Sequence, residues 1–336
     1  MIFFENYSLR EHNTFRIDVK TKRFIEYADI NELKQILSNP ALCKLPLLPI
    51  GRGSNLLFTK DFDGTILHSS IKHIIIETET DDYVDLKVGS GVIWDDFVVY
   101  CTEQDWRGAE NLSLIPGETG AASVQNIGAY GTEIKDIIRK VDAIEIATGK
   151  ELTFENKDCR YAYRSSIFKN DLKNKVIVTN VYFRLHKNIP FNLSYGTIEA
   201  EAKKFGEINI ANVRKAVISI RESKLPDPNL TGNAGSFFIN PVIDIDFYRA
   251  LLRQYPEMPH YPQSPDSVKI PAGWLIEQCG WKGKQIGHAA VHDRQALVLV
   301  NKGGATGEEI FRLSEMIQDS VKDKFGIEIL PEVNIL

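Results

Sequence analysis

Residues 115–131 read IPGETGAASVQNIGAYG, and the interpretation of this stretch decides that of the whole chain. Glycines at 117, 120, 128 and 131, with Gly108 just upstream, alternate with the small Ala121, Ala122 and Ser123. Such a run lacks the bulk to build a core. It does let backbone N–H groups approach a flat or anionic ligand, because small residues permit close contact and positive φ. An ordinary tight loop can have the same composition. Gln125 and Asn126 argue for more, since two amides among small residues need partners once covered. The stretch is expected to be a ligand cradle.

Upstream, an apolar strand at 47–50 runs into a second glycine loop, GRGSN at 51–55. Strand followed by Gly-x-Gly resembles a dinucleotide fingerprint. It fails at position 56, which is Leu rather than a third glycine, and 56–58 with 64–67 reads as strand instead of helix. Gly89-Ser90-Gly91 precedes a helical pattern at 94–103 but also lacks the third glycine, and GxxxxGK[ST] occurs nowhere. A Rossmann or P-loop site is thereby excluded. Two glycine loops on a strand-rich scaffold point to one extended, phosphate-bearing ligand.

Outside the loops, alternation predicts strands at 24–28, 73–77, 83–88, 140–146, 175–183 and 295–300. Helical spacing predicts helices after Asp29 or Asn31 (Leu33, Ile36, Leu37), at 94–103, 213–222 and 273–279, and at 306–324 (Ile310, Leu313, Ile317, Val321). The folded part is expected to open at Asn13. Strands and helices do not alternate regularly, so the class is α+β.

The 336 residues, 43% hydrophobic and 25% charged, suffice for two or three domains with cores of their own. A net charge of −5 without blocks argues against nucleic acid and against an anionic membrane as partner. Apolar runs such as 42–50 are broken by Pro or Lys and fall short of the roughly 20 residues that span a bilayer. The opening MIFFENYSLREHNTF has early acidic residues and no small-residue cleavage site, so it does not read as a signal peptide. Cys43, Cys101, Cys159 and Cys279 are scattered without CxxC spacing, which implies reduced core thiols and a cytoplasmic compartment.

Three further positions carry chemistry, and one histidine pair is weighed beside them. Arg164, in YAYRSS, reads either as a cation–π contact or as a planar fork awaiting a carboxylate or phosphate. Ser236, in GNAGSFFINP after the two-proline KLPDPN segment, reads either as a backbone-bonded strand-start serine or as a proton donor. No GxSxG or His/Asp support makes it a nucleophile. His288 and His292 stand four apart without the Glu of an HExxH motif, so no metal site is expected. Glu332, in ILPEVNIL, places a carboxylate among apolar residues, where it needs a cation, a donor or a proton.

Together, GRGSN (51–55), IPGETGAASVQNIGAYG (115–131), YRSSIFK (163–169), KLPDP (224–228), GNAGSFFINP (232–241), AGWLIEQCG (272–280) and PEV (331–333) resemble the UDP-N-acetylenolpyruvoylglucosamine reductase family from Asn13 onward. The segment around Tyr195 is similar to that of its type I subgroup. The resemblance implies a vanillyl-alcohol-oxidase/PCMH-type FAD fold in two parts, 1–65 (with strand 329–336) and 66–222, plus a third α+β substrate domain at 223–328. It implies NADPH as reductant and UDP-N-acetylglucosamine enolpyruvate as substrate, in a monomer of the cytoplasm.

It further implies FAD contacts at Gly51, Arg52, Gly53, Ser54, Asn55, Gly117, Gly120, Ala121, Ser123, Gln125, Asn126, Gly128, Ala129 and Tyr130. By the same resemblance Ser236 is the general acid, while Arg164 and Glu332 polarise the substrate carboxylate, Glu332 as a protonated or strongly hydrogen-bonded acid. Tyr195, Lys224 and Asn240 match positions that hold the diphosphate. One departure is Asn334, where the family commonly has Arg. Two other readings stand beside this one: an oxidase on the same flavin fold, disfavoured by the lack of a His in 51–55 for covalent attachment, and a non-catalytic flavin or nucleotide-sugar binding protein.

Overall fold

The computed structural model describes residues 1–43 and 46–336; Lys44 and Leu45 in the apolar run 42–50, and the side chain of Cys43, lie outside the described residues. The chain forms two compact units. One comprises Met1–Tyr7, Thr21–Arg52 and Asp63–Ser223, the other Ser8–Lys20, Gly53–Phe62 and Lys224–Leu336. Both mix helices with sheets, and the fold is α+β as the sequence predicts.

The first unit holds a four-stranded sheet in the order Ile2–Ser8, Lys20–Tyr27, Phe62–Ser69, Leu47–Ile50, its last pair parallel. Strand Ile2–Ser8 precedes the expected start at Asn13. Phe3 and Phe4 are exposed on it, so no buried face left an alternation to read. Helix Ile30–Ser38 is capped reciprocally: Asp29 Oδ1 accepts from Glu32 N at 2.8 Å, and Ala28 N donates to Glu32 Oε2 at 2.8 Å. Leu33 and Ile36 are buried, as their spacing requires.

A five-stranded antiparallel sheet follows, ordered Glu151–Glu155, Ile138–Glu145, Val176–His186, Tyr83–Gly89, Ile74–Glu79. Helix Trp94–Glu103 lies on it through Trp94 and Phe97, whose rings stand 5.9 and 4.7 Å from that of Phe183. All three are fully buried, and truncating such a ring to Ala costs about 3–5 kcal/mol.

Inside the glycine stretch the structure has a short helix, Thr119–Gln125. A Cβ on Gly120 would stand only 2.6 Å from Ser90 Cβ, and Ser123 Oγ donates to Gly120 O at 2.8 Å. Close packing against Ser90 thus turns part of a run that reads as loop into helix, a tertiary override of local propensity.

The second unit contains a four-stranded sheet (Gly232–Ser236, Val298–Asn301, Ala289–Val291, Gln285–Ile286), a three-stranded one (Val242–Asp244, Ser267–Lys269, Tyr261–Ser264), and a parallel pair of Leu56–Leu57 with Asn334–Ile335. The strand predicted at 295–300 starts only at Val298, because Val298 N turns back to Gln295 O at 3.0 Å. Helix Gly307–Phe325 begins at a Thr306–Glu309 capping box, stops at Gly326 (φ 68°), and buries Ile310, Leu313, Ile317 and Val321. Among the described residues, Cys101, Cys159 and Cys279 are free thiols and no helix is long and apolar enough to cross a membrane.

Candidate functional site

In the first unit, the chain leaving strand Leu47–Ile50 comes down onto the glycine stretch. A Cβ on Gly51 would stand 3.1 Å from Glu118 Oε2 and 3.3 Å from Ala121 Cβ, so the two loops meet with no side chain between them. Arg52 and Ala121 are exposed there, and Gly51, Gly128 and Ala129 are half-buried. A floor of small residues with a guanidinium next in the chain suits a ligand that is planar at one end and anionic at the other, and these residues fit FAD. Gly117 is buried and Gln125 half-buried.

Asn126 has protein partners of its own. It is wholly buried at a left-handed φ of 49°; its Nδ2 donates to Glu133 Oε2 (3.1 Å) and Ala162 O (2.9 Å), and its Oδ1 accepts from Lys135 N (3.3 Å). Together with the packed Gly120 and Ser123, it holds the cradle's framework.

Beneath Gly51 lies a charged cluster in which His68 and Glu118 are buried and Glu26 is half-buried. Glu118 Oε1 is 3.0 Å from His68 Nε2, and His68 Nδ1 is 2.9 Å from Glu26 Oε2. Burial works against a charge on His68, but the two carboxylates outweigh it and raise the imidazole pKa above its usual value.

Arg164 adopts a left-handed φ of 52°, and its Nη2 donates to Gly128 O at 2.8 Å. The guanidinium carbon is 5.4 Å from the Tyr163 ring centre, and Lys169 Nζ donates to Arg164 O at 3.1 Å. A Cβ on Gly128 would come within 3.2 Å of Arg164 Nη1, so glycine is what admits the guanidinium. Tyr130 packs edge-on against Tyr195, ring centres 5.9 Å apart at 85°, and Tyr195 is 53% exposed. Asn111 Nδ2 donates to Tyr130 O (3.0 Å) and Asn192 O (2.8 Å), which ties the segment before Tyr195 to the glycine stretch.

Burial raises the pKa of the Tyr130 phenol against the opposing charge of Arg221. Burial also lowers the pKa of Arg221, with Tyr130 and Asp95 opposing and Arg164 adding to the effect. Asp95 receives both terminal nitrogens of Arg214 at 2.8 Å and Leu114 N at 2.5 Å. Burial pushes the Asp95 carboxyl pKa up, yet these donors hold it below its usual range.

In the second unit, Ser236 ends strand Gly232–Ser236 opposite Val298, just past a register shift that begins at Asn233. Asn233 builds that bulge: Nδ2 donates to Pro226 O (3.2 Å) and Thr231 O (2.8 Å), and Oδ1 accepts from Gly235 N (2.9 Å). Bulges re-aim side chains next to active sites. Phe237 is fully buried, and its carbonyl accepts from Glu332 N at 2.8 Å. Asn55 Nδ2 donates to Glu332 O (3.2 Å), and Asn334 Nδ2 donates to Asn55 O (3.2 Å). Ser236, Glu332 and Asn55, far apart in sequence, thus share one neighbourhood, with Asn334 bracing Asn55.

Gly53 (φ 64°) would place a Cβ 2.1 Å from His12 O, so packing against the chain already demands a glycine there. Ser54 is half-buried. Asn240 Oδ1 accepts from Ala272 N (2.9 Å) at the start of helix Ala272–Gln278, and Lys224 is exposed at the end of helix Ile210–Lys224.

Sequence reasoning passed over His68, Glu26, Glu118, Arg221 and Asn233. Glu118 had a signal, as the one acidic residue in 115–131. His68 and Glu26 had none, because each sits singly on a different strand.

Residues 21–155 match the family model described as FAD binding domain, and residues 227–336 that described as UDP-N-acetylenolpyruvoylglucosamine reductase, C-terminal domain. UDP-N-acetylenolpyruvoylglucosamine reductase of Bacteroides fragilis is 53% identical over 332 residues, covering 99% of each chain. The protein of the same name in Flavobacterium johnsoniae is 47% identical over 334 residues, 98% of each chain. The crystal structure of UDP-N-acetylenolpyruvylglucosamine reductase from Thermus caldophilus shares the fold, with a TM-score of 0.69 at 19% identity over 99% of this chain and 98% of that one. Identity at this level along almost the entire length establishes that the chain belongs to the UDP-N-acetylenolpyruvoylglucosamine reductase family.

Proposed function

We propose that this protein uses NADPH to reduce UDP-N-acetylglucosamine enolpyruvate to UDP-N-acetylmuramate, with FAD held by the loops at 51–55 and 117–130, in peptidoglycan precursor synthesis. The observation that carries the reading is the hydrogen bond from Glu332 N to the carbonyl of Phe237, at 2.8 Å, which sets Glu332 beside the residue that follows Ser236. When bound, FAD supplies to C3 of the enolpyruvyl ether the hydride that NADPH delivers. In this reading, negative charge then develops at C2 and on the substrate carboxylate. Arg164 stabilises that charge with its planar fork, Glu332 stabilises the enol form, and Ser236 Oγ gives its proton to C2. Tyr195, Lys224 and Asn240 hold the diphosphate, Lys224 as a point charge and the others by hydrogen bonds.

The reading places the enzyme in the cytoplasm as a monomer, with parts at 1–65 (plus 329–336), 66–222 and 223–328. The purified protein is expected to be yellow, to bleach anaerobically with NADPH, and to recover its colour on addition of the enolpyruvyl nucleotide. Rapid turnover of an alcohol with oxygen, and no reoxidation by that nucleotide, would favour an oxidase and overturn the proposal.

A further inference from the structure

The cluster of buried His68 and Glu118 with half-buried Glu26 has no part in the chemistry above. We propose that His68 is a positioning residue for the flavin cradle, gripping Glu118 from beneath so that the Glu118 carboxylate sets the approach of Gly51 to the glycine stretch. The inference rests on the FAD reading of these two loops.

Three observations carry it. His68 is 7% exposed at the end of strand Phe62–Ser69, with Glu118 Oε1 at 3.0 Å on one ring nitrogen and Glu26 Oε2 at 2.9 Å on the other. Ionised carboxylates only accept, so satisfying both contacts takes a doubly protonated ring between two anions. The second oxygen of Glu118, Oε2, faces Gly51, 3.1 Å from where a Cβ would stand. A shift of the Glu118 carboxylate therefore passes directly into the chain that carries Arg52. Finally, Phe24 lies tilted against the His68 ring, centres 6.0 Å apart, and Glu26 holds its far edge, so the ring has little freedom to turn.

A buried ion pair is a poor source of net stability, because an apolar replacement often does as well. It is a good source of fixed geometry, and a binding constellation has to be held to within about 0.5 Å by groups behind it. Glu26 orients His68 as an outer carboxylate orients a metal-bound histidine, one layer removed from the ligand.

The test uses the flavin-loaded protein and measures FAD release by recovery of free-flavin fluorescence, together with thermal midpoints with and without FAD. His68→Gln and Glu118→Gln are each expected to raise the FAD dissociation constant at least about tenfold, as loss of a supporting partner does in other built sites. The double variant is expected to lose no more than the worse single one, because both break the same link. Glu26→Gln, on the side away from Gly51, is expected to weaken FAD less than either.

Unchanged FAD affinity with equal falls of both midpoints would make His68 a mere core residue and overturn the inference, as would additive losses in the double variant. A wild-type protein that binds no FAD would overturn both this inference and the reading it rests on. Flavin-loaded wild type with unaffected variants would overturn this inference alone. Should His68→Gln fail to fold, nitrogen-15 NMR of wild-type histidines decides: both His68 ring nitrogens are expected to carry protons whose signals move when FAD is withdrawn, and signals that stay put would overturn it.

Discussion

Arg164 Nη2 donates a 2.8 Å hydrogen bond to the carbonyl of Gly128, so this guanidinium and the glycine stretch form one mechanical piece. The contact exists because residue 128 has no side chain: its Cβ would meet Glu133 Cγ at 3.0 Å and Arg164 Nη1 at 3.2 Å. Gly128→Val is expected to displace the guanidinium and slow substrate reduction by about 10²-fold, the scale of an ångström's misplacement. Because Gly128 also belongs to the floor of small residues, flavin content is measured in the same samples and the rate is taken per bound flavin. Rapid-mixing measurement of flavin reoxidation by the enolpyruvyl nucleotide checks it, and an unchanged rate would detach Arg164 from the chemistry.

Ser236 should separate the two halves of the reaction. Ser236→Ala is expected to leave flavin reduction by NADPH intact and to slow reoxidation by substrate at least about 10²-fold, as removal of a general acid does. Anaerobic stopped-flow absorbance measures each half independently. Equal slowing of both halves would argue that the substitution disturbs the bulge at Asn233 rather than a proton transfer.

Asn126 offers a test of framework against ligand. All three hydrogen bonds of its amide go to protein groups, at 2.9 to 3.3 Å, and its φ is 49°. Asn126→Ala is expected to destabilise the flavin-free protein by about 2–4 kcal/mol, from lost buried hydrogen bonds and a strained backbone. Denaturant titration without FAD measures this. A flavin-free protein of unaltered stability would mean that the amide serves the cofactor instead.

The Asp95–Arg214 pair predicts a response to acid. The folded-state carboxyl pKa lies below its unfolded value, so the pair's contribution is full above the unfolded pKa of about 4 and is lost as pH falls through the depressed one. Asp95→Asn is expected to cost about 1–3 kcal/mol at neutral pH and to flatten the stability curve below about pH 4. Chemical denaturation at stepped pH compares the two proteins, and parallel curves would remove Asp95 from the acid response.

Much of this architecture could be read from the chain alone, and the readable parts share a cause. Helix Trp94–Glu103 and the Thr306–Glu309 cap announce themselves because local spacing and local hydrogen bonding agree with the final packing. The glycine stretch stood out by its lack of bulk. Its helix Thr119–Gln125 was not, because that helix depends on Ser90 in a distant segment. The same holds for the site. Ser236 and Glu332 stood out within their own motifs, whereas His68, Glu26 and Glu118 become a cluster only once Lys20–Tyr27 and Phe62–Ser69 lie side by side.

The second unit is held by bonds between segments far apart in the chain: Asn55 reaches Glu332 across 277 residues, and Leu56–Leu57 pairs with Asn334–Ile335. During synthesis Asn55 emerges well before Glu332 and waits without that partner. Closure of so long a loop is slow for any chain that must search for it. A nascent chain stalled before Glu332 therefore carries Ser236 and its bulge, while the carbonyl of Phe237 lacks the N–H that meets it in the folded chain. The bond from Glu332 N to the Phe237 carbonyl forms only once residue 332 has emerged, and a cut before that residue removes it together with the pairing of Leu56–Leu57.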